Sequence, residues 1–119
     1  MDLQPYLYFA DVIRWVDGDT VELVIDLGFD LTFGKEKKPI TGRLVPIDTP
    51  EKKETNFVEA GEFSRHMAPE GSKALVRTVK VKDKLKDNFG RYFVIMYSLE
   101  GESINDALLA AGLATIFKK

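Results

Sequence analysis

Residues 15–26, WVDGDTVELVID, place two aspartates and a glycine directly before a run with strand periodicity. Val21, Leu23 and Ile25 recur at every second position, which is typical of a strand with one buried face. Upstream, residues 8–16, YFADVIRWV, have the same strand character. This part of the chain therefore predicts two consecutive strands that pair as a hairpin.

The charged residues between these strands have two interpretations. Asp17 and Gly18 form a dipeptide that favours a tight hairpin turn. Asp19 leads straight into Thr20 and the second strand. A carboxylate at this position belongs to a site only if other charges, distant in sequence, meet it.

Three further strands are predicted downstream. Residues 40–48, ITGRLVPID, have strand character until Pro50 ends it, and residues 74–81 and 91–99 alternate in the same way. Residues 28–39, GFDLTFGKEKKP, contain glycines, a proline and several lysines. They predict a projecting hairpin or loop between the second and third strands.

Two helices are predicted from apolar residues at helical spacing that follow capping residues. The residues concerned are Asn56, Glu59, Ala60, Phe63 and Met67 in the first helix, which Pro69 ends, and Ser103, Ile104, Asp106, Leu108 and Ala111 in the second, which Gly112 ends. The order strand, strand, strand, helix, strand, strand, helix predicts a mainly β fold with helices (α+β), a closed five-stranded barrel of OB type. Residues 1–119 are expected to form a single domain of this kind.

Composition excludes several classes of site. The 17 basic and 19 acidic residues give a net charge of −2, so any site for a polyanion must be a local concentration of Lys and Arg. The chain has no cysteine and one histidine, which excludes disulfides, thiolate catalysis and a histidine-based metal cluster or triad. No signal peptide and no transmembrane segment is visible, and localisation stays open between the cytoplasm and secretion after removal of a leader.

Three islands of charge interrupt the apolar strands: Asp17 and Asp19; Arg43, Asp48 and Glu51; and Asp87 with Arg91. Two carboxylates and a main-chain carbonyl, completed by water, make a hard oxygen site that suits Ca²⁺ or Mg²⁺ rather than zinc. Arginines complement phosphate through forked hydrogen bonds, and a further carboxylate can orient or deprotonate a water. Together, these parts predict metal-assisted attack on a phosphodiester.

Each island also has a purely structural interpretation. The dipeptide at 17–18 is a common turn, and residues 48–51, DTPE, are typical of a loop or helix cap. Arg91 is also explained as a strand residue that pairs with Asp87, and His66 as a surface or half-buried side chain. The lysines of residues 34–39 and 80–86 are typical of solvated faces, although both groups could contact a polyanion.

Four motifs resemble the staphylococcal nuclease (thermonuclease) family: DGDT, RLVPIDTPE, DNFGR and SINDALLAAGLA, in that order. The resemblance covers residues from about 12 to 114, and the long connection at 28–42 is like that of short phage and prophage members. It implies a five-stranded OB-type barrel and Ca²⁺-dependent nuclease activity, that is, hydrolysis of DNA or RNA phosphodiesters with little sequence specificity that leaves 3′-phosphate ends.

The resemblance also implies roles for individual residues. Asp19, Asp48 and the main-chain carbonyl of Thr49 would bind Ca²⁺, with Asp17 beside them. The catalytic residues would be Glu51, which activates or orients the water, and Arg43 and Arg91, which stabilise the phosphorane transition state. Two departures are visible: Phe89 stands where the family usually has tyrosine, and the best-known member continues into a further C-terminal helix.

Two other functions compete with the nuclease. Relatives of this fold serve as non-catalytic modules that bind nucleic acid or protein, but such modules lose some of the charged residues that are present here. A simple OB-type oligonucleotide binder would use stacking aromatics such as Phe29, Phe33 and Tyr92. The expected partner is a DNA or RNA substrate, with no membrane and no obligate protein partner.

Overall fold

The computed structural model describes residues 5–52 and 54–116 of the chain. The strands are β1 (Leu7–Asp17), β2 (Thr20–Gly28), β3 (Leu31–Phe33), β4 (Ile40–Leu44), β5 (Ile47–Asp48), β6 (Lys73–Thr78), β7 (Tyr92–Tyr97) and β8 (Thr115–Ile116). The helices are α1 (Phe57–Met67) and α2 (Ile104–Ala110). Neither helix has the length and apolar character needed to cross a bilayer.

Five strands form a closed barrel. They are hydrogen-bonded in the order β1-β6-β7-β4-β2, and a further pairing of β1 with β2 closes the ring. The pairs are antiparallel except β4 and β7, which run parallel. The short β3 pairs with the outer end of β2 as a hairpin, and β5 pairs with β8 apart from the barrel. The predicted five-stranded barrel of OB type is confirmed.

Alternate residues of the strands fill the barrel interior. Val21, Leu23 and Ile25 of β2 are buried, as their spacing predicts. Trp15 of β1 is the largest fully buried side chain, and its indole Nε1 donates a hydrogen bond to the Ala68 carbonyl at 2.8 Å. The one polar atom of this side chain is therefore satisfied in the core.

Helix α1 packs against the turn between β1 and β2. Ser64 is fully buried, and its Oγ donates to the Gly18 carbonyl at 2.7 Å. A Cβ at Gly18 would lie 2.9 Å from the Cβ of Ala60, so only glycine allows this approach. Asp17 pairs with Thr20, which makes Gly18 and Asp19 the two turn residues and moves the turn one residue beyond the predicted position.

Two predicted elements differ from the observed ones. The strand expected at 40–48 is divided into β4 and β5 by Val45 and Pro46, because proline lacks the N–H that a continuous strand ladder requires. Asn56 does precede α1, but its side chain makes no capping hydrogen bond because its backbone is left-handed, with φ 69°. The prediction that the helix begins after Asn56 is therefore confirmed, and the prediction that the Asn56 side chain caps it is wrong.

Helix α2 is hydrogen-bonded both to β7 of the barrel and to the segment between β4 and β5. Its predicted cap is confirmed, because the Ser103 side chain accepts a hydrogen bond from the Asp106 N–H. The buried Asn105 side chain donates to the Val45 carbonyl at 2.8 Å and accepts from the Met96 N–H at 3.1 Å. One amide thus joins α2 and β7 to the chain between β4 and β5.

Candidate active site

A cavity of about 740 Å³ opens at the barrel rim, where the β1–β2 turn, the β4–β5 segment and the residues before β7 meet. Its lining includes every charged residue that the sequence singled out, together with Thr49: Asp17, Asp19, Arg43, Asp48, Thr49, Glu51, Asp87 and Arg91. The three islands of charge, which are far apart in sequence, therefore lie around one cavity. Asp19 lies in the turn directly before β2, and this turn brings its carboxylate to the rim.

Arg43 is the centre of the charge network. Its side chain is buried, and its Nη1 lies 3.1 Å from Asp19 Oδ2 while Nη2 contacts Asp48 Oδ1. Nη1 also donates to the carbonyls of Leu44 at 2.6 Å and Ile47 at 2.7 Å. These contacts hold the guanidinium in one orientation, which matters because a buried charge is stable only when it is paired.

Asp19 and Thr49 join the β1–β2 turn to the β4–β5 segment. Asp19 is buried, and its Oδ2 accepts the Thr49 N–H at 2.9 Å while its Oδ1 accepts the Thr20 hydroxyl at 3.1 Å. Thr49 is also buried, and its Oγ1 has no hydrogen-bond partner among the described residues. Thr49 also lines the cavity.

Asp17 shows how strongly negative charge is concentrated here. Burial and the neighbouring Asp19 carboxylate, which interacts with it by hydrogen bonding and by charge, raise the pKa of Asp17 to about 6. Its Oδ1 also accepts the Asp19 N–H at 3.1 Å. Desolvation and a nearby like charge both disfavour the ionised form, so a cation at the rim would stabilise it.

Glu51 occupies the exposed edge of the cavity. Its N–H donates to Glu54 Oε1 at 2.7 Å, and the Glu54 N–H donates to the Glu51 carbonyl at 2.8 Å. These reciprocal bonds leave the Glu51 side chain at the solvent edge. A carboxylate in such a position can reach a water molecule in the cavity.

Arg91 enters the cavity from the loop before β7. Its Nε donates to Asp87 Oδ2 at 2.6 Å, its N–H donates to Asp87 Oδ1 at 3.0 Å, and its Cζ lies 5.4 Å from the centre of the Phe89 ring. The Asp87 pair that the structural interpretation predicted is therefore present, and it serves to orient Arg91. No hydrogen bond from the Arg91 Nη atoms to a described residue is found, so both remain for a ligand.

The residues fit a hard cation by donor type. Asp19 and Asp48 both contact the Arg43 guanidinium, and Thr49, whose N–H donates to Asp19, lines the same cavity. Their carboxylates and a main-chain carbonyl are oxygen ligands, which Ca²⁺ and Mg²⁺ prefer. Among the described residues, no group of three or more His, Cys, Asp or Glu side chains that could hold a metal ion is found. Main-chain oxygens and water would have to complete any shell.

The aromatic residues proposed for a simple oligonucleotide binder do not gather at this cavity. Phe33 and Tyr92 pack edge to face with ring centres 5.1 Å apart, and Phe29 is exposed at the tip of the β2–β3 hairpin. None of the three lines the cavity. His66 is exposed on α1, in agreement with its structural interpretation.

Glu54 was not predicted as a site residue, and the lysines of residues 80–86 were predicted as a solvated face that could contact a polyanion. Glu54 accepts a hydrogen bond from the Glu51 N–H, and Lys82, Lys84 and Lys86 of that group line the cavity. Glu54 offered no signal in the sequence, because its contact depends on the turn that follows Pro50.

Comparison with known proteins identifies the family. The sequence model of the family described as "Staphylococcal nuclease homologue" matches residues 41–119, about two thirds of the chain. The chain belongs to the staphylococcal nuclease family. The matched range includes Arg43, Asp48, Glu51 and Arg91, and it begins after the β1–β2 turn.

Individual relatives agree with this family. The chain is 32% identical over 110 residues to an "Uncharacterized endonuclease" of Escherichia coli O157:H7, and equally to one of Escherichia coli. These alignments cover 91% of this chain and 60% of each relative. A "Protein ParB" of Escherichia coli is 28% identical over 117 residues, which cover 92% of this chain and 57% of that protein. The chain thus spans less than two thirds of the length of each of these relatives.

Proposed function

We propose that this chain is a Ca²⁺-dependent phosphodiesterase that hydrolyses DNA or RNA with little sequence specificity and leaves 3′-phosphate ends. The observation that carries the proposal is the meeting of Arg43, Arg91 and Glu51 with the carboxylates of Asp19 and Asp48 in one cavity. Membership of the staphylococcal nuclease family and the endonuclease names of two relatives support the same reaction class.

Arg43 and Arg91 act on the phosphate. The Arg43 guanidinium is held by two main-chain carbonyls and two carboxylates before any substrate binds, so it needs no reorganisation during the reaction. Arg91 is oriented by Asp87 through its Nε and offers its Nη atoms. Two fixed guanidinium groups stabilise the additional negative charge that develops on the phosphorane oxygens.

Glu51 acts on the water. Its exposed carboxylate accepts a proton from, or orients, the water that attacks phosphorus, and the turn held by Glu54 keeps it at the cavity edge. Asp19, Asp48 and the main-chain oxygen of Thr49 would hold Ca²⁺. When bound, the cation supplies Lewis-acid polarisation of a phosphate oxygen and neutralises its charge.

The proposal is tested by cleavage of labelled single-stranded DNA with Ca²⁺ or with a chelator. We expect Glu51→Gln to lower kcat on the order of 10²-fold, because the amide cannot take the proton of the attacking water. Arg43→Lys keeps the charge and loses the forked geometry, and we expect a loss of similar size. Cleavage that continues unchanged in excess chelator would contradict the role of the metal.

Matched controls separate chemistry from folding. Glu62→Gln removes a carboxylate from the exposed face of α1, and Arg14→Lys changes an arginine that forms only an exposed ion pair with Glu22. Both are expected to retain cleavage within about 2-fold, because exposed ion pairs contribute little. A folded wild-type chain that binds DNA but never cleaves it at saturating Ca²⁺ would favour the non-catalytic binding module.

A further inference from the structure

Three lysines line the cavity beyond the residues that the proposed reaction uses. Lys82, Lys84 and Lys86 are exposed, and all three contribute to the lining beside Arg91 and Phe89. Among the described residues, none of these lysines forms a salt bridge, whereas Lys73 on β6 pairs with Asp11 at 2.9 Å. Among the described residues, Lys86 also contacts the Tyr92 ring, and no carboxylate forms a salt bridge with any of the three.

The lysines lie on a hairpin that the backbone holds firmly. The Val81 and Lys84 main chains exchange hydrogen bonds of 2.9 and 3.0 Å, and Lys82 and Asp83 between them both have positive φ, as in a two-residue hairpin turn. The second arm is bonded to β7, because the Phe93 N–H donates to the Leu85 carbonyl at 3.0 Å. The hairpin is thus an extension of the barrel wall.

The cavity brings the three lysines together, since all of them line it. Lys84 and Lys86 each form an isolated β-bridge, with Val81 and Tyr92 respectively, and the chain bends at Leu85 between them. The Lys86 Nζ lies 5.4 Å from the centre of the Tyr92 ring. Lys82 lies at the turn of the hairpin. We call Lys82, Lys84 and Lys86 the lysine strip.

Charge is distributed unevenly around the cavity. Most of the lining carboxylates come from the β1–β2 turn and from Asp48, Glu51 and Glu54, whereas the lysine strip comes from the segment before β7, together with Asp87, which binds Arg91. In a chain with a net charge of −2, three lysines that form no salt bridge with a described residue are a local site for a polyanion. Because the strip adjoins Arg91, an anion that reaches it would continue from the one held at the arginines.

We propose that the lysine strip binds the phosphates next to the reacting phosphodiester, so that the site takes strands of several nucleotides in preference to a dinucleotide. This inference rests on the proposed function. The strip neutralises successive phosphates by charge and makes no base contact, which is compatible with binding that is independent of sequence.

The test is equilibrium binding with a chelator present, so that no turnover occurs. The probes are a labelled single-stranded oligonucleotide of about 12 nucleotides and a labelled dinucleotide. Lys82→Gln/Lys84→Gln leaves the Lys86–Tyr92 contact intact. Its matched control is Lys35→Gln/Lys37→Gln, which removes the same charge from an exposed turn outside the cavity.

We expect the strip variant to raise the Kd of the longer oligonucleotide on the order of 10-fold and to change that of the dinucleotide by less than about 2-fold. The slope of log Kd against log salt should fall by about 1.4, which is about 0.7 for each phosphate contact on a single strand. The control variant should retain the wild-type slope. The proposal would be overturned if the strip and control variants raised the Kd of the longer oligonucleotide equally. It would also be overturned if the strip variant raised the Kd of both probes equally.

This binding measurement, taken together with the cleavage assay, separates the inference from the proposed reaction. If the wild-type chain cleaves no substrate with Ca²⁺ but binds the longer strand through the strip, the strip is supported and the phosphodiesterase is rejected. If the chain cleaves with Ca²⁺ but the strip variant binds like wild type, the strip is rejected and the phosphodiesterase stands.

Discussion

The two arginines of the cavity differ in how their neighbours hold them. Arg43 is buried between two carboxylates and two main-chain carbonyls, so its orientation depends on contacts from several parts of the chain. Among the described residues, Arg91 hydrogen-bonds to the side chain of Asp87, which accepts from both its Nε and its N–H. Arg91 is consequently the arginine whose placement a single substitution can test.

Asp87→Asn should make the loop before β7 less stable in a manner that depends on pH. Desolvation tends to raise the pKa of Asp87, but hydrogen bonds from Arg91 and from the Phe89 N–H, with the Arg91 charge, outweigh it and leave the pKa below its ordinary value of 3.8. The ionised form is therefore the one that the folded state stabilises. The contribution of the ionised Asp87 to the free energy of unfolding is complete above pH 3.8, and it is lost as the pH falls through the folded-state pKa.

Urea unfolding of the wild type and of Asp87→Asn provides the measurement. At pH 7 we expect the variant to be less stable by about 1 kcal/mol, because the pair is partly exposed and solvent weakens it. The difference should shrink as the pH is lowered below about 4. A difference that stays constant down to pH 3 would mean that packing, and not the charge of Asp87, stabilises the loop.

The turn between β1 and β2 is positioned by helix α1. Gly18 lies against Ala60 and Thr49, and its carbonyl accepts the Ser64 hydroxyl. The Asp19 carboxylate follows in the same turn and meets Thr49 and Arg43. The helix therefore contributes no side chain to the chemistry but determines where one of the carboxylates lies.

Gly18→Ala should loosen this packing. The new methyl group would lie 2.9 Å from both Ala60 Cβ and Thr49 Cγ2, closer than carbon atoms normally pack, so the turn or the helix must move. We expect a loss of about 1–3 kcal/mol of unfolding free energy, measured by chemical denaturation. Cleavage should fall as well, since Asp19 moves with the turn.

Gly61→Ala, on the adjoining face of α1, is the matched control. Only the flexible end of Arg65 comes near the added methyl group, at 3.3 Å, and alanine is the better helix former. This variant should gain up to about 1 kcal/mol in unfolding free energy. Equal destabilisation by both substitutions would argue against the close approach at Gly18.

At the scale of the whole molecule, the barrel rim carries several carboxylates, although no three acidic side chains of the described residues form a group that could hold a metal ion. Asp17, Asp19 and Asp48 line the cavity, and Arg43 contacts two of them, Asp19 and Asp48. A site with only two ligand carboxylates binds a divalent cation weakly, so we expect a Ca²⁺ requirement on the scale of about 1 mM. Because the cation would bind only to the folded state, its binding must also raise the free energy of unfolding.

Thermal unfolding with and without Ca²⁺ checks this expectation independently of cleavage. With a Kd of about 1 mM, about 10 mM Ca²⁺ should add roughly 1.4 kcal/mol, a rise of about 5 °C in Tm. The rise should disappear in Asp48→Asn and persist in Glu22→Gln, since Glu22 pairs with Arg14 away from the cavity. An identical rise in Tm in both variants would mean that the cation does not bind at Asp48.

The sequence alone predicts the strand periods, the hairpins, the N-terminal cap of α2 and the barrel class. Alternation and helical spacing are local properties of the chain, and burial reinforces them. The motifs also selected eight of the residues that line the cavity: Asp17, Asp19, Arg43, Asp48, Thr49, Glu51, Asp87 and Arg91. The sequence did not reveal the break of β4 at Pro46, the left-handed Asn56, the contact of Glu54 with Glu51, or the meeting of the lysine strip with Arg91. These features depend on which distant segments pack together. Barrel closure between β1 and β2 and the parallel pairing of β4 with β7 decide that packing, and they bring residues 17–19, 43–51 and 82–91 to one rim.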